Sequence, residues 1–455
     1  MSNRQNRPIR VAVIGSGPAG VYASDALMKS GREVQIDLFE KMPAPFGLIR
    51  YGVAPDHPRI KGIVNALHRV LSKPELRLLS NVEFGTDLTV EDIKKHYDAV
   101  IFATGAVADR DLTVPGAELE GHFGAGEFVG FYDGNPLFER DWDLSAEKVA
   151  VIGVGNVALD VARILAKTGD ELKVTEIPDN VHAALSKNQA REVHVFGRRG
   201  PAQAKFTPLE LKELDHSPTI EVVVDPEDIQ YDEASEALRR ESKVVDQVAT
   251  IIEKYAIREP KGAPHRLFIH FFESPVEILG EDGKVTGLRT ERTEPDGNGN
   301  VVGTGTFRDW EVGAVYRAVG YRSEALPEVP FDTVTHVIPN EAGRVLNAEG
   351  AHLEGLYTTG WVKRGPVGLI GNTKGDANET VACLIEDHEA GRGDDPEAPG
   401  LDDIEETLRK KGVEFINWEG WQILDAHERA LGEAEGRERK KVVEWDEMVA
   451  RSRKE

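Results

Sequence analysis

The chain has a single cysteine, Cys383. One thiol excludes an internal disulfide, a Cys-x-x-Cys redox pair, a cysteine-ligated iron–sulfur cluster and a cysteine-rich zinc site. Basic residues are the minority: 55 Lys and Arg against 79 Asp and Glu, a formal net charge of −24. That balance argues against nonspecific binding to DNA or to an anionic membrane. No apolar run is long enough to cross a bilayer. The segment Met1 to Arg10 is short and polar, without the apolar stretch of a secretory signal. Together these absences lead us to expect a cytoplasmic protein with no nucleic-acid partner, no membrane insertion and no metal.

What is present is a chain of 455 residues, long enough for two or three domains with a large buried core. Arg10 to Ile14 (RVAVI) reads as a short apolar strand. GSGPAG follows, then a helical pattern through Ala23, Ala26 and Leu27, then a strand from Val34 to Phe39 ending at Glu40, which together make a βαβ unit. Ala44 to Lys61 is rich in Pro and Gly and predicts no regular structure. A helix is expected from Gly62 to Leu71, with strands near Arg77 to Leu79 and at Ala99 to Ala103, the last breaking at Thr104-Gly105.

A second βαβ unit starts at Lys148: strand VAVIG, turn GVGNVALD, helix Val157 to Lys167. A polar insertion, about Asp170 to Ala190, separates it from a strand at Glu192 to Phe196, which ends in Gly197-Arg198-Arg199. Ser235 to Tyr255 reads as helical. Leu267 to Phe272, Val276 to Leu279 and Lys284 to Thr290, separated by turn signals, predict an appended antiparallel meander. Gly320-Tyr321-Arg322 marks a crossing. Leu356 to Trp361 reads as a strand, and Asp376 to Ala390 as a helix. Gly391 to Gly400 reads as a linker, and the tail from Leu401 as charged helix, with Trp418, Trp421 and Trp445 as packing anchors.

The two glycine turns carry the functional signal. Gly15-x-Gly17-x-x-Gly20 sits between strand and helix, where glycines let the backbone approach a pyrophosphate. Glu40 then stands where an acid accepts hydrogen bonds from a ribose 2′-OH. The second turn, Gly153-x-Gly155-x-x-Ala158, is followed by Arg198 and Arg199 at the strand end in place of an acid. A 2′-phosphate is repelled by a carboxylate and matched by a guanidinium fork. One unit therefore favours a 2′-hydroxyl and the other a 2′-phosphate, and the simplest occupants are FAD and NADP(H). The Thr-Gly strand ends at Thr104 and Thr359 fit a chain that leaves the first domain, builds the second and returns.

With GSGPAG, PFGLIRYGVAPDHP (Pro45 to Pro58), GVGNVALDVARIL, GRRGPAQAKFTPLELKEL (Gly197 to Leu214) and GWVKRGPVGLIGNTKGDA (Gly360 to Ala377), the chain resembles the ferredoxin–NADP reductases of the adrenodoxin reductase type, their actinobacterial members above all. The resemblance runs nearly the whole length, including WEGWQILDAHE in the tail. It implies an α/β fold of two Rossmann-like domains, as in glutathione reductase. An FAD domain (1–108 and 322–455) would be split by an inserted NADP domain (109–321).

Carried over by position, Gly15, Gly17, Ala19, Gly20 and Glu40 would hold the ADP half of FAD. Gly47 and Leu48 would lie along it, and Trp361, Gly368 and Ile370 near the flavin ring. Gly153 and Gly155 would form the NADP turn, with Asn156 and Val157 touching its pyrophosphate, Arg198 and Arg199 its 2′-phosphate, and Glu210 the nucleotide. His57 and Glu213 match polar positions linked to the redox step, the candidate catalytic pair. Asn372-Thr373 reverses an expected Thr-Asn order.

With paired cysteines absent, neither a disulfide route nor an internal cluster can carry electrons onward, and no FxGxxxH monooxygenase fingerprint is present. The acceptor implied is an external ferredoxin, a small acidic iron–sulfur carrier, served by a monomeric enzyme. Two alternatives remain open: a general NADPH dehydrogenase (diaphorase) with a quinone or dye acceptor, and a noncatalytic NADP(H) sensor. Arg191, Arg198, Arg199, Lys205 and Lys212 form a basic stretch that could face an acidic partner or serve the nucleotide.

Overall fold

The structure, a computed structural model, describes residues 7–368, 370–392 and 402–453. The chain forms two compact units: Asp109–Gly320, and the chain up to Ala108 together with the chain from Tyr321 onward. The return crossing falls between Gly320 and Tyr321, one residue before the boundary read from the sequence.

In the first unit the strand Ile9–Ile14 is buried along its whole length, as a central parallel strand with both faces covered must be. It pairs in parallel with Val34–Glu40 and with Ala99–Phe102. Leu76–Ser80 and His352–Thr358 extend the parallel sheet on its two sides, and an antiparallel pair, Asn340–Glu341 and Arg344–Leu346, closes one edge. Successive side chains of the central strand sort to opposite faces. Val11 and Val13 share a core with Leu27, Leu384 and Trp421; Ala12 and Ile14 share another with Tyr97, Phe102 and Leu356.

The tail belongs to this unit's core. Trp421 is buried, Trp418 packs against the same cluster, and Trp445 Nε1 donates to Asn81 Oδ1 at 2.8 Å. Glu428, on the helix Trp418–Glu433, accepts from Arg50 Nη1 at 2.9 Å, Arg439 Nη1 at 3.0 Å and the Val442 amide at 2.9 Å, all of them buried. Lys441 Nζ completes the cluster by donating to the Arg50 carbonyl at 2.6 Å.

The second unit is built on six parallel strands in the order His122–Gly124, Ala314–Arg317, Lys148–Ile152, Glu192–Phe196, His265–His270, Ile220–Val224. A separate antiparallel sheet follows: Glu273–Glu281, Lys284–Pro295 and Val301–Glu311.

Several expectations are corrected. The segment read as Leu267 to Phe272 forms the strand His265–His270 of the parallel sheet and is not part of the meander, whose third strand, Val301–Glu311, went unread, as did Ile220–Val224. Ala44 to Lys61 holds two single-turn helices, Leu48–Tyr51 and Pro58–Lys61, the latter opened by a proline whose missing N–H costs nothing there. The polar insertion holds the helices Gly169–Leu172 and Asp179–Leu185. The helical stretch near 235–255 is two helices, Glu233–Glu241 and Lys243–Ile257, with the Ser242 side chain capping the second. The strand expected to Trp361 ends at Thr358, and Trp361 opens a helical turn. The expected linker lies, from residue 393 on, outside the described residues.

Two histidines sit inside the second unit. His194 Nδ1 and His270 Nε2 are 2.9 Å apart, and both rings pack on Phe196, Phe268 and Trp310. Burial pushes His194 down to about 4, against the opposing pull of Glu192, and His270 down to about 3, with His194 adding to the shift. An unfolded chain takes up both protons near pH 6.5 and the folded chain does not, so stability present above pH 6.5 is lost as pH falls toward 4. Urea titrations at pH 7 and pH 5 should differ by about 2–4 kcal/mol from this pair. The double variant His194→Phe, His270→Phe should flatten that slope; an unchanged slope would remove the pair as its source.

Candidate functional site

Three segments of the first unit meet at the N-terminus of the helix Pro18–Met28. The turn itself comes first. Gly15 N donates to Phe39 O at 2.8 Å, tying the turn to the neighbouring strand. A Cβ at Gly20 would lie 1.9 Å from Gly15 O, so only glycine lets the helix start this close beneath the turn. Gly17 is the N-cap; no side chain caps this helix, Ala19 lies in its first turn, and that turn holds no acid. The amides there are oriented for an anion.

The second segment is Phe46–Leu48. Phe46 N donates to Ser16 O at 3.1 Å, and Gly47 lies over Gly17. Leu48 opens the following helical turn. Phe46 has a φ of 87°, a left-handed conformation that is a strained outlier for a bulky residue. Its ring is held by stacking on His68 at 5.2 Å and by the edge of Trp421 at 5.6 Å.

The third segment is Gly360–Trp361. A Cβ at Gly360 would stand 2.6 Å from Ala19 Cβ, so the glycine lets the chain pass directly over the first turn of the helix. Beside it Thr359 Oγ1 and Trp361 Nε1 are buried with no hydrogen-bond partner among the described residues, groups that a bound molecule with its own donors and acceptors can satisfy.

Glu40 stands at the end of its strand, as expected. Its carboxylate accepts from Ser16 N at 2.9 Å, Ser16 Oγ at 2.7 Å and Met42 N at 2.9 Å. Burial holds its carboxyl above the ordinary range in spite of these donors. The glycine cradle, the uncapped helix and the orphaned polar atoms fit a dinucleotide such as FAD. Of the other residues assigned to this cofactor, Gly368 is exposed with a φ of 89°, and Ile370 begins a short 3-10 turn, its side chain lying outside what is described. His57 is buried and precedes the helical turn Pro58–Lys61.

The second unit repeats the plan with different chemistry. Gly153 N donates to Phe196 O at 3.0 Å, and Gly155 is the N-cap of the helix Asn156–Ala166, again with no side-chain cap and no acid in the first turn, where Asn156 and Val157 lie. Ala158 is fully buried. Arg198 is exposed and Arg199 half-buried. Their carbonyls are fixed, accepting from Thr293 Oγ1 at 2.7 Å and Phe272 N at 3.3 Å, and neither guanidinium forms an ion pair among the described residues.

Glu210 and Glu213 lie on the helix Pro208–Glu213, with carboxylate oxygens within 4.8 Å of each other. Glu210 is buried with Arg163 Nη1 at 4.0 Å, and Arg163 also donates to Asp160 at 2.9 Å. The sequence reading passed over Phe46, the Ser16–Glu40 bonds and the side-chain role of Asn156, whose Oδ1 accepts from Thr207 N at 2.9 Å. Only the serine inside GSGPAG offered a signal, as a short hydroxyl beside the strand-end acid.

The family described as pyridine nucleotide-disulphide oxidoreductase matches residues 9–195. Over 460 residues the chain is 39% identical to the NADPH-ferredoxin reductase FprA of Mycobacterium tuberculosis, covering 97% of this chain and 99% of that one. It is 37% identical over 458 residues to the mitochondrial NADPH:adrenodoxin oxidoreductase of Bos taurus, covering 98% and 92%. The solved structure of Mycobacterium tuberculosis FprA in complex with NADPH matches with a TM-score of 0.91 at 38% identity, over 98% of this chain and all of that one. With one glycine turn closed by an acid, the other by paired arginines, and likeness to both proteins along almost the whole length, the chain belongs to the family of the NADPH-ferredoxin and NADPH:adrenodoxin reductases.

Proposed function

We propose that the chain is an FAD-dependent NADPH:ferredoxin oxidoreductase. The observation that carries the reading is the contrast between the two strand ends: a carboxylate hydrogen-bonded to its own glycine turn in the first unit, and arginines without ion-pair partners among the described residues in the second. FAD supplies chemistry that no side chain here has, accepting a pair of electrons as hydride and releasing electrons singly.

The protein binds and orients. Gly15, Gly17, Ala19, Gly20, Gly47 and Leu48 cradle the FAD pyrophosphate, Glu40 receives its ribose hydroxyls, and Trp361, Gly368 and Ile370 border its ring. Gly153, Gly155, Asn156 and Val157 take the NADP(H) pyrophosphate. Arg198 and Arg199 pair with its 2′-phosphate, and Glu210 borders the nucleotide. His57 and Glu213 hold charge and settle protons near the flavin.

The likeness to the ferredoxin and adrenodoxin reductases supports a ferredoxin as acceptor, and a disulfide route is closed because Cys383 has no partner cysteine. No described helix is long and apolar enough to cross a membrane. We place the enzyme in the cytoplasm as a monomer.

Rapid mixing tests the reading. The purified protein should be yellow, bleach quickly with NADPH and slowly with NADH, and reduce added ferredoxin steadily. A protein that bleaches but leaves ferredoxin oxidised is a diaphorase, and a colourless protein overturns the flavin assignment. His57→Ala should slow hydride transfer about tenfold without abolishing it, because the reaction needs no obligatory protein acid or base. If the single-turnover rate and the flavin potential both stay at the parent values, His57 has no tuning role.

A further inference from the structure

We propose that Lys205 is a ligand of the nucleotide pyrophosphate, an inference that rests on reading the turn from Gly153 to Ala158 as the NADP(H) site. Lys205 N donates to Val154 O at 2.8 Å, and Lys205 forms a parallel bridge with Gly155. Residues paired across a β-bridge send their Cβ atoms to the same side, about 5 Å apart. At Gly155 that side is open: a Cβ built there has nothing within 4 Å. The Lys205 stem therefore leaves the backbone into the open space over the N-terminus of the helix Asn156–Ala166, where the uncapped amides favour an anion.

The segment bearing Lys205 is held in place. Beyond it Thr207 N donates to Asn156 Oδ1 at 2.9 Å, and before it Ala204 N donates to Pro201 O at 3.2 Å. The side chain is exposed and joins no ion pair among the described residues. An ammonium on a flexible stem acts as a mobile point charge for phosphate oxygens. Its role differs from that of Arg198 and Arg199. The pyrophosphate is common to NAD and NADP, so Lys205 contributes affinity without selectivity, and Asn156 acts as a positioning residue that keeps the lysine over the turn.

Three probes separate the phosphates in calorimetric titrations of the flavin-loaded protein: NADP+, ADP-ribose (pyrophosphate without a 2′-phosphate) and 2′-AMP (2′-phosphate without a pyrophosphate). Lys205→Met should weaken NADP+ and ADP-ribose about tenfold, the loss of one charge-assisted hydrogen bond, and leave 2′-AMP unchanged. Lys205→Arg should restore most of the loss. Arg199→Ala is the control for the underlying reading and should weaken NADP+ and 2′-AMP while sparing ADP-ribose. If that control has no effect, the NADP(H) assignment fails. If the control behaves and Lys205→Met leaves all three affinities unchanged or weakens 2′-AMP, the proposal for Lys205 is overturned.

Discussion

Replacing both strand-end arginines, Arg198→Ala with Arg199→Ala, should lower kcat/KM for NADPH at least a hundredfold and leave kcat/KM for NADH within about threefold. Each charge-assisted hydrogen bond from a guanidinium to a phosphate dianion is worth about 1.5–3 kcal/mol, so losing two removes roughly 3–6 kcal/mol, and every 1.4 kcal/mol is tenfold. The effect should be clean. Neither side chain forms an ion pair among the described residues, so its removal strands no acid. The backbone of the turn is held through the carbonyls of both residues, which truncation leaves in place. Steady-state kinetics with the two coenzymes decide the matter. An equal loss on NADPH and NADH would mean that the arginines serve something common to both, and the assignment of the 2′-phosphate to them would fall.

The second large effect is on stability. Glu428→Ala should destabilise the first unit by about 3–5 kcal/mol, because it leaves the guanidinium groups of Arg50 and Arg439 buried without their shared carboxylate. For a unit of this size that corresponds to a fall in Tm of roughly 10 °C. The cofactor should report the same change. Arg50 lies in the helical turn Leu48–Tyr51 whose N-cap, Gly47, lies over Gly17, so loosening Arg50 loosens one wall of the FAD cradle. The variant should lose flavin on dilution and gel filtration where the parent retains it. A variant with the parent's Tm and flavin content would show that the ion cluster is dispensable.

The chemistry of the sites was legible in the sequence because it depends on local order. A glycine turn between a strand and a helix, with an acid or arginines at the next strand end, is determined within one βαβ unit. Features that depend on distant chain were not legible. The strained backbone at Phe46 is held by Trp421 from the far tail, and no local pattern announces it. Leu267 to Phe272 reads like a meander strand, but the strand that forms there, His265–His270, inserts between two parallel neighbours chosen by the fold. Ile220–Val224 is a short apolar run without periodicity, which sequence cannot distinguish from other buried segments. The single-turn helices after Gly47 and His57 are shorter than the window in which a helical period can be detected.

Seen from the ribosome, the order of the strands has a consequence. Asp109–Gly320 is continuous and has all its strands once Gly320 has emerged. At that moment the older N-terminal segment still lacks His352–Thr358, the strand that completes its sheet beside Ala99–Phe102, together with Gly360 and the tail that holds Phe46 in place. The segment made before Asp109 thus belongs to the later of the two units to close. Its nucleotide cradle is finished only after His352–Thr358, Gly360 and Trp421 have followed Gly320, so capture of the flavin comes after the second unit has all its strands.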